Sequence, residues 1–213
     1  NLVAPQETMT VDTVKPTIAI LTDDEALNFA DDNATITFTL SEVATDFAVG
    51  DIVAVGGVLS GFAGSGTSYT VVFTAAVNST TSATIDVASG RFTDPNGNAN
   101  LVAPQETMTV DTVKPTIAIL TDDEALNYGD NATITFTLSE VAVDFAEIDV
   151  VETGGELSAW TAVNGTVYTA LFTPTSDSTT GATIDVASGR FTDPAGNANL
   201  VAPQETMTVD TVK

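Results

Sequence analysis

Asn1–Lys15 reads NLVAPQETMTVDTVK, and the same fifteen residues recur at Asn100–Lys114 and at Asn199–Lys213. The three copies start at positions 1, 100 and 199, a constant spacing of 99 residues. A fixed spacing of about 100 residues is typical of small domains repeated in tandem. We therefore expect two repeats, at residues 13–111 and 112–213. Residues 1–12 are then the last strand of a truncated preceding repeat, and the chain is a window from a longer array.

Charge and composition argue against several classes of protein. The chain carries 29 acidic against five basic residues, a net charge of −24, and has neither Cys nor His. Without a basic patch, nucleic acid and anionic membrane surfaces are poor partners. No apolar run is long enough to span a bilayer, so we expect no direct membrane insertion. A domain of about 100 residues buries enough surface to fold without disulfides.

The missing His and Cys also limit catalysis, because His-based triads and cysteine nucleophiles need those side chains. A pair of carboxylates for glycoside hydrolysis is available on paper. Every candidate loop carboxylate recurs in the sister repeat, however, and an active site duplicated in each unit of an array would be unusual. We therefore expect the chain not to be an enzyme.

Hydrophobic residues alternate with polar ones along nearly every regular segment, which predicts half-buried strands. Ile36, Phe38 and Leu40 alternate with threonines, and Tyr69, Val71 and Phe73 repeat the pattern. The first repeat predicts seven strands, near residues 17–21, 34–40, 51–55, 58–62, 69–74, 83–88 and 106–110. Asp94-Pro95-Asn96-Gly97 predicts a type I turn before the last of these strands.

The second repeat follows the first with one deletion and one insertion. The deletion falls in the loop before the second strand, and we place the insertion in a turn near Trp160-Thr161-Ala162. The inward pattern is preserved at Ile134, Phe136, Leu138, Tyr168, Ala170, Phe172, Ile184 and Val186. Seven short strands with frequent turn signals predict an all-β fold of tandem seven-stranded β-sandwiches.

Acidic loops supply the candidate functional residues. In a sandwich, loops alternate between two ends, so Asp111 should meet loop residues of the second repeat, namely Glu140, Asp144, Asp193 and Asn197. Asp23, Asp24 and Glu25 of the first repeat could approach the same gap. Oxygen-only clusters suit calcium, Ca²⁺, which takes six to eight oxygen ligands. The alternative is that Asp94 and Asp193 only cap turns and that Glu42 and Glu140 are solvated.

The linkers between repeats contain proline and no glycine or serine. Pro16 and Pro115 fix φ and hold the preceding lysine extended. A short linker of this composition is stiff. We expect each repeat to have its neighbouring repeats as partners in an elongated chain with limited bending.

Four motifs carry a family resemblance over both repeats: Asp-Thr-x-x-Pro at the linker, Thr-Phe-Thr-Leu-Ser-Glu on the second strand, Gly-Gly after the third, and Phe-Thr-Asp-Pro-x-Gly-Asn before the last. Together they resemble the bacterial Ig-like extender repeats of giant biofilm-associated and RTX-type surface adhesins. The resemblance implies an Ig-like fold and an extracellular stalk at the bacterial cell surface. Such a stalk projects a distal binding domain, and calcium often stiffens its junctions.

The resemblance also implies a set of calcium ligands. These are the linker aspartates, the glutamate after the second strand, and the turn aspartate and asparagine: Asp12, Glu42, Asp94 and Asn98, and then Asp111, Glu140, Asp193 and Asn197. Lys15 and Lys114 depart from the commoner family pattern. They place a cation near the expected site, which would reduce calcium occupancy.

Two other functions remain open at this point. Each sandwich could itself bind a glycan or another cell, with Phe62 and Trp160 as the loop-proximal aromatic candidates. Alternatively, the strand at Glu7–Val11 could be a donor that completes a neighbouring molecule. Truncation of an array accounts for that strand more simply. The adhesive target is not encoded in any motif of the sequence.

Overall fold

The computed structural model describes residues 7–213 as two compact units. The first unit comprises residues 7–27 and 31–111, and the second comprises residues 28–30 and 112–213. Over residues 7–213 the regular structure is β-strand, apart from two single-turn 3₁₀ helices at Val49–Asp51 and Glu147–Asp149. Within this part of the chain, no helix is long and apolar enough to cross a membrane.

Eight strands build the first sandwich: β1 (Ile18–Thr22), β2 (Ala26–Asn28), β3 (Asn33–Leu40), β4 (Ile52–Val55), β5 (Gly57–Ser65), β6 (Ser68–Ala75), β7 (Ala83–Val87) and β8 (Glu106–Asp111). One sheet has the order β1-β3-β6-β5 and the other has the order β2-β8-β7-β4. The last strand, β8, therefore lies between the short β2 and β7.

The second sandwich repeats this topology with β9 (Ile117–Thr121), β10 (Ala125–Asn127), β11 (Ala132–Leu138), β12 (Val150–Thr153), β13 (Gly155–Ala162), β14 (Val167–Pro174), β15 (Ala182–Val186) and β16 (Glu205–Asp210). Its sheets have the orders β9-β11-β14-β13 and β10-β16-β15-β12. β16 pairs in parallel with β10 and antiparallel with β15. The prediction of tandem all-β sandwiches is confirmed.

Alternation along the strands produces the core. Ile36 and Phe38 on β3 and Phe73 on β6 are fully buried, and the threonines between them face outward. β11 and β14 show the same pattern in the second unit, where Ile134, Phe136 and Phe172 are fully buried. Because side chains alternate between the two faces of a strand, each sheet has one apolar and one polar face.

The structure departs from the sequence predictions at two places. Residues 26–28, predicted as part of an acidic loop, form the three-residue strand β2, which raises the count to eight strands per repeat. Trp160, Thr161 and Ala162 lie on strand β13, where the register shifts between Ser158 and Thr161, and the insertion falls in the turn that follows them. The extra length sits in the hairpin loop at residues 163–166, against 66–67 in the first repeat.

An aromatic residue from a loop fills the centre of each sandwich. Phe47 contacts Phe38, Tyr69 and Phe92 at ring-centroid distances of 5.5, 5.1 and 5.1 Å. Phe145 contacts Phe136, Trp160, Tyr168 and Phe191 in the same manner, at 4.9 to 5.8 Å. These mostly edge-on arrangements are the favoured geometry for aromatic pairs. Each acidic loop is thereby anchored to the core through its own phenylalanine.

The prolines of the linkers are part of the folded units. Pro16 and Pro115 are buried, and their carbonyl oxygens accept hydrogen bonds from Leu101 N and Leu200 N, each at 2.8 Å. The start of each sandwich is therefore held against the segment that precedes its last strand.

Phe145→Ala is expected to destabilise the second unit by about 3–5 kcal/mol, since it deletes a buried ring surrounded by four aromatic neighbours. Chemical denaturation followed by the emission of Trp160, which contacts Phe145, measures the effect. The matched control is Val143→Ala in the same loop, where the side chain is 66% exposed and the expected loss is within about 0.5 kcal/mol. Equal losses for the two variants would contradict the anchoring role of Phe145.

Gly57→Ala is expected to destabilise the first unit by about 1–3 kcal/mol or more, because a Cβ there would lie 2.2 Å from Thr74 O and 2.4 Å from the Phe73 ring. Gly50→Ala is the control, since its Cβ would meet no atom within 4 Å. Thermal unfolding of the two variants should show a lowered Tm for Gly57→Ala alone.

Candidate metal centre

The turn before the last strand buries a carboxylate. Asp94 O accepts the Gly97 N–H at 3.1 Å, which closes the predicted four-residue turn, and Gly97 takes a φ of +86°. Asp94 Oδ1 accepts the backbone N–H groups of Asn96 and Asn98, and Oδ2 accepts Asn98 Nδ2, all at 2.8 Å. These three donors allow Asp94 to be only 2% exposed.

A second loop, residues 41–47, is tied to this turn. Asp46 Oδ1 accepts the Thr93 N–H at 2.8 Å, and Thr45 N donates to Thr93 O at 3.1 Å. With Phe47 held in the core, these bonds fix the loop from both sides. Glu42, near the start of the loop, is brought towards Asp94 as a consequence.

The linker aspartate completes the group. Asp12 Oδ2 accepts Asn96 Nδ2 at 2.8 Å, and its backbone oxygen accepts Asn98 Nδ2 at 3.2 Å. Asp12, Glu42 and Asp94 each offer one carboxylate oxygen, and these oxygens all lie within 4.8 Å of one another. The first repeat therefore gathers three of its predicted ligands, with Asn98 hydrogen-bonded to two of them.

Glu42 and Asp94 differ in their electrostatics. Burial raises the pKa of Glu42, and the nearby charges of Asp12 and Asp94 raise it further. Glu42 Oε1 is buried and has no hydrogen-bond partner. Burial also acts to raise the pKa of Asp94, but its hydrogen bonds from Asn98, Asn96 and Gly97 outweigh burial and lower it. Negative charge is thus stabilised on Asp94 and disfavoured on Glu42.

The equivalent group of the second repeat consists of Asp111, Glu140 and Asp193 at the corresponding sequence positions. Asp193 is 1% exposed and accepts Asn197 N and Nδ2 at 2.8 Å each. Ala195 stands where the first repeat has Asn96, so the amide that contacts Asp12 has no side-chain counterpart in this repeat. The group of Asp12, Glu42 and Asp94 lies wholly within one compact unit.

Four of the predicted carboxylate ligands lie outside both groups. Asp23 Oδ1 accepts the Thr35 N–H at 2.6 Å, and Asp24 Oδ1 accepts the Ala26 N–H at 2.9 Å. The exposed Glu25 offers its backbone oxygen to Thr109 N at 2.8 Å. Asp144 Oδ1 accepts the Thr192 N–H at 2.8 Å and joins two loops, as Asp46 does in the first repeat. The carboxylates of Asp23, Asp24 and Asp144 thus cap turns and fasten loops.

Two of the linker lysines contact aromatic rings. Lys114 Nζ lies 3.6 Å from the ring centroid of Phe29, which belongs to the same compact unit, and Lys213 Nζ lies 4.0 Å from that of Tyr128. Both distances are within the range of a cation–π interaction. The sequence predicts that Lys114 weakens a calcium site. The contact with the Phe29 ring offers its ammonium group another partner.

Sequence reasoning missed the buried asparagines that position each turn. Asn100 is 2% exposed, accepts the Arg91 and Phe92 N–H groups at 2.7 and 3.1 Å, and donates to Ala88 O and Leu101 O. Asn199 makes the same four bonds in the second repeat. The available signal was the recurrence of Asn-Ala-Asn after the glycine of each turn, at residues 98–100 and 197–199.

The chemistry of each group suits a hard cation. Calcium–oxygen bonds measure about 2.3–2.6 Å, so two oxygens on one ion can be up to about 5 Å apart. Separations of no more than 4.8 Å therefore permit Asp12, Glu42 and Asp94 to bind the same ion. Such an ion would also offset the mutual repulsion of the carboxylates.

A family model described as "Bacterial Ig-like domain" matches residues 12–110 and 111–209. A search of curated proteins gave no match. Among solved structures, the chain is similar to the adhesin FdeC of Escherichia coli, with 15% identity over 96% of this chain and 67% of that one and a TM-score of 0.37.

It is also similar to InvD of Yersinia pseudotuberculosis, with 18% identity and a TM-score of 0.38, and to the mouse nectin-like molecule 4 ectodomain, with 13% identity and a TM-score of 0.34. The similarity to InvD covers 93% of this chain and 58% of InvD. The similarity to the nectin-like molecule covers 92% of this chain and 64% of that one. Because the family model covers nearly the whole sequence, the chain belongs to the bacterial Ig-like domain family, as two tandem copies.

Proposed function

We propose that this chain is part of the extracellular stalk of a bacterial surface adhesin, in which calcium bound at the linker aspartates stiffens successive repeats. The tandem bacterial Ig-like domains support the stalk role, since repeats of this kind extend a protein by a fixed length per unit. The composition supports a non-enzymatic role, because the chain contains neither His nor Cys.

One observation carries the calcium part of the proposal. Glu42 Oε1 is a buried acceptor with no hydrogen-bond partner, and it belongs to a group of three carboxylates whose oxygens lie within 4.8 Å of one another. A buried acceptor without a donor is costly and needs an explanation. A divalent cation would satisfy that oxygen and would leave a net charge near −1 on the group. Asp12, Glu42 and Asp94 would hold it in the first repeat, and Asp111, Glu140 and Asp193 in the second.

The alternative of direct glycan or cell binding receives less support from the positions of the aromatic residues. Phe62 and Trp160 lie on strands β5 and β13, half-buried against the cores. Phe62 stacks on Tyr69 at 5.7 Å, and Trp160 contacts Phe136 and Phe145 at 5.2 and 5.4 Å. Both rings contribute to packing and do not form an exposed aromatic binding surface.

Calcium at a few millimolar, compared with EDTA, is expected to raise Tm by on the order of 5 °C, given extracellular site affinities of about 10⁻⁴–10⁻³ M. Magnesium should raise it less, because it demands stricter octahedral geometry. The double variant Glu42→Gln/Glu140→Gln should lose most of the calcium-dependent rise.

The charge-matched control is Glu25→Gln/Glu124→Gln, which removes two exposed carboxylates outside both groups. Differential scanning calorimetry of the three proteins, each in calcium and in EDTA, gives the comparison. If both double variants keep the full rise, or if the unmodified chain shows none, calcium does not bind these groups.

In EDTA, we expect the free energy of unfolding of the first unit to depend on pH through the protonation of Glu42. Its folded-state pKa is raised, so its protonated form is favoured in the folded unit, and its contribution to stability is present at low pH and is lost as pH rises through that pKa. Glu42→Gln should therefore match the unmodified chain below the ordinary glutamate pKa and exceed its stability at neutral pH. Urea titrations at several pH values test this, and a lower stability of Glu42→Gln at pH 7 in EDTA would refute the assignment.

A further inference from the structure

Strand β5 is a long edge strand without charge. The sheet order β1-β3-β6-β5 leaves β5 paired with β6 alone among the strands of residues 7–213. An edge strand presents a row of N–H and C=O groups that no neighbouring strand binds. None of the nine residues Gly57–Ser65 is charged, and the Val58 side chain is 66% exposed. Natural edge strands are usually short or carry charges, which prevents them from pairing with another molecule.

The whole sheet that ends in β5 is uncharged. Strands β1, β3, β6 and β5 contain no Asp, Glu, Lys or Arg, although the net charge of the chain is −24. The other sheet of the same unit carries Asp86, Glu106 and Asp111. In the sequence, no charged residue occurs from Ile52 to Ile85. The carboxylates of the first repeat are therefore confined to loops, a 3₁₀ turn and the opposite sheet.

The other edge of this sheet is protected. β1 has only five residues, and Pro16 precedes it with no backbone N–H to donate. Thr22, the last residue of β1, donates its N–H to Glu106 Oε1 at 3.1 Å. A short strand that follows a proline and ends against a carboxylate is a poor template for pairing. The edge that remains open to another strand is β5.

The second repeat carries glutamates at the corresponding positions. Val58 is the second residue of β5 and Glu156 is the second residue of β13, and both strands shift register further along. Ala54 on β4 is likewise replaced by Glu152 on β12. Glu156 is exposed, so its charge lies at the edge of the sheet. The two edge strands thus have the same pairing and differ in charge.

We propose that β5 of the first repeat pairs antiparallel with β5 of a second copy of this chain, across a two-fold axis. The two four-stranded sheets then form one continuous sheet, and main-chain hydrogen bonds supply most of the affinity. The partner is a second copy because two chains of net charge −24 repel each other, and at β5 they bring together two uncharged sheets. A surface that contacts itself about a two-fold axis closes at the dimer.

The dimer is weak and its stability depends on salt. Two paired edge strands bury less surface than the roughly 1,200–2,000 Å² of a standard stable interface, so we expect a dissociation constant on the order of 100 µM at 0.15 M NaCl. Raising NaCl to 0.5 M should lower the dissociation constant several-fold, because salt screens the repulsion between carboxylates of the two chains.

Val58→Glu introduces the residue that the second repeat carries in the same fold. It removes an apolar side chain from the contact and places like charges on facing strands, so the dissociation constant should rise about tenfold or more. Leu21→Glu is the matched control, since it adds the same charge at a 61% exposed position on β1. β1 lies three strands from β5, about 14 Å away, so Leu21→Glu should change the dissociation constant by less than about twofold.

The reciprocal variant Glu152→Ala/Glu156→Val removes both charges from the edge strands of the second repeat. Each chain then has two uncharged edges, and either edge can pair with an edge of another copy. We therefore expect assemblies larger than a dimer at concentrations above about 100 µM.

Sedimentation velocity of the full chain and its variants, from 10 µM to 2 mM in EDTA, measures the association. EDTA removes calcium bridges between carboxylates, so the result does not depend on the calcium proposal. Backbone amide spectra of ¹⁵N-labelled protein over the same concentrations should show shifts centred on Gly57–Ser65. Circular dichroism checks that each variant is folded.

Three results would overturn the inference. The first is an unmodified chain that remains monomeric at 2 mM in 0.5 M NaCl. The second is equal weakening by Val58→Glu and Leu21→Glu, which would show that the sheets pack face to face. The third is a folded Val58→Glu protein that dimerises as well as the unmodified chain. If Val58→Glu does not fold, the reciprocal variant decides, and its failure to form assemblies beyond the dimer would refute pairing at this edge.

Discussion

Each sandwich depends on the insertion of its last strand between two others. In the first repeat β8 lies between the three-residue β2 and β7, and in the second β16 lies between β10 and β15. Met108 on β8 lies opposite Ala83 on β7, and both side chains are almost fully buried. Thr109, on the same strand, donates to the Glu25 carbonyl beside β2. The strand therefore joins β2 to β7, and without it one sheet loses the link between its two halves. Its sequence is identical in the two repeats.

The apolar core also decides the electrostatics of the acidic loops. Phe47 and Phe145 are buried among three or four other rings, and the loops that carry Glu42 and Glu140 cannot move away from the turns that carry Asp94 and Asp193 without withdrawing them. Burying an aromatic ring contributes several kcal/mol, which opposes the mutual repulsion of the carboxylates. The carboxylates are consequently held together by packing in spite of their repulsion, which is the condition under which a cation adds stability.

The two repeats are nearly identical in sequence, but a few substitutions change local contacts. Asn96 donates to the Asp12 carboxylate, whereas the second repeat has Ala195 at this position. Phe62 is replaced by Trp160 at the equivalent point of the long edge strand, and both rings pack on the core. Tandem copies that preserve buried residues and vary at loops keep one fold.

The sequence alone determined the repeat length, the strands, their inward faces and the turn at Asp94–Gly97, because alternation and turn chemistry are local properties of the chain. It also indicated which loops share one end of the sandwich, and Asp12, Glu42 and Asp94 do lie together. Only the tertiary structure showed that Asp23, Asp24 and Asp144 cap backbone N–H groups, that Asn100 and Asn199 brace the turns, and that β2 is a strand. These features depend on partners that are distant in sequence or on single hydrogen bonds, and neither leaves a periodic signal in the amino-acid pattern.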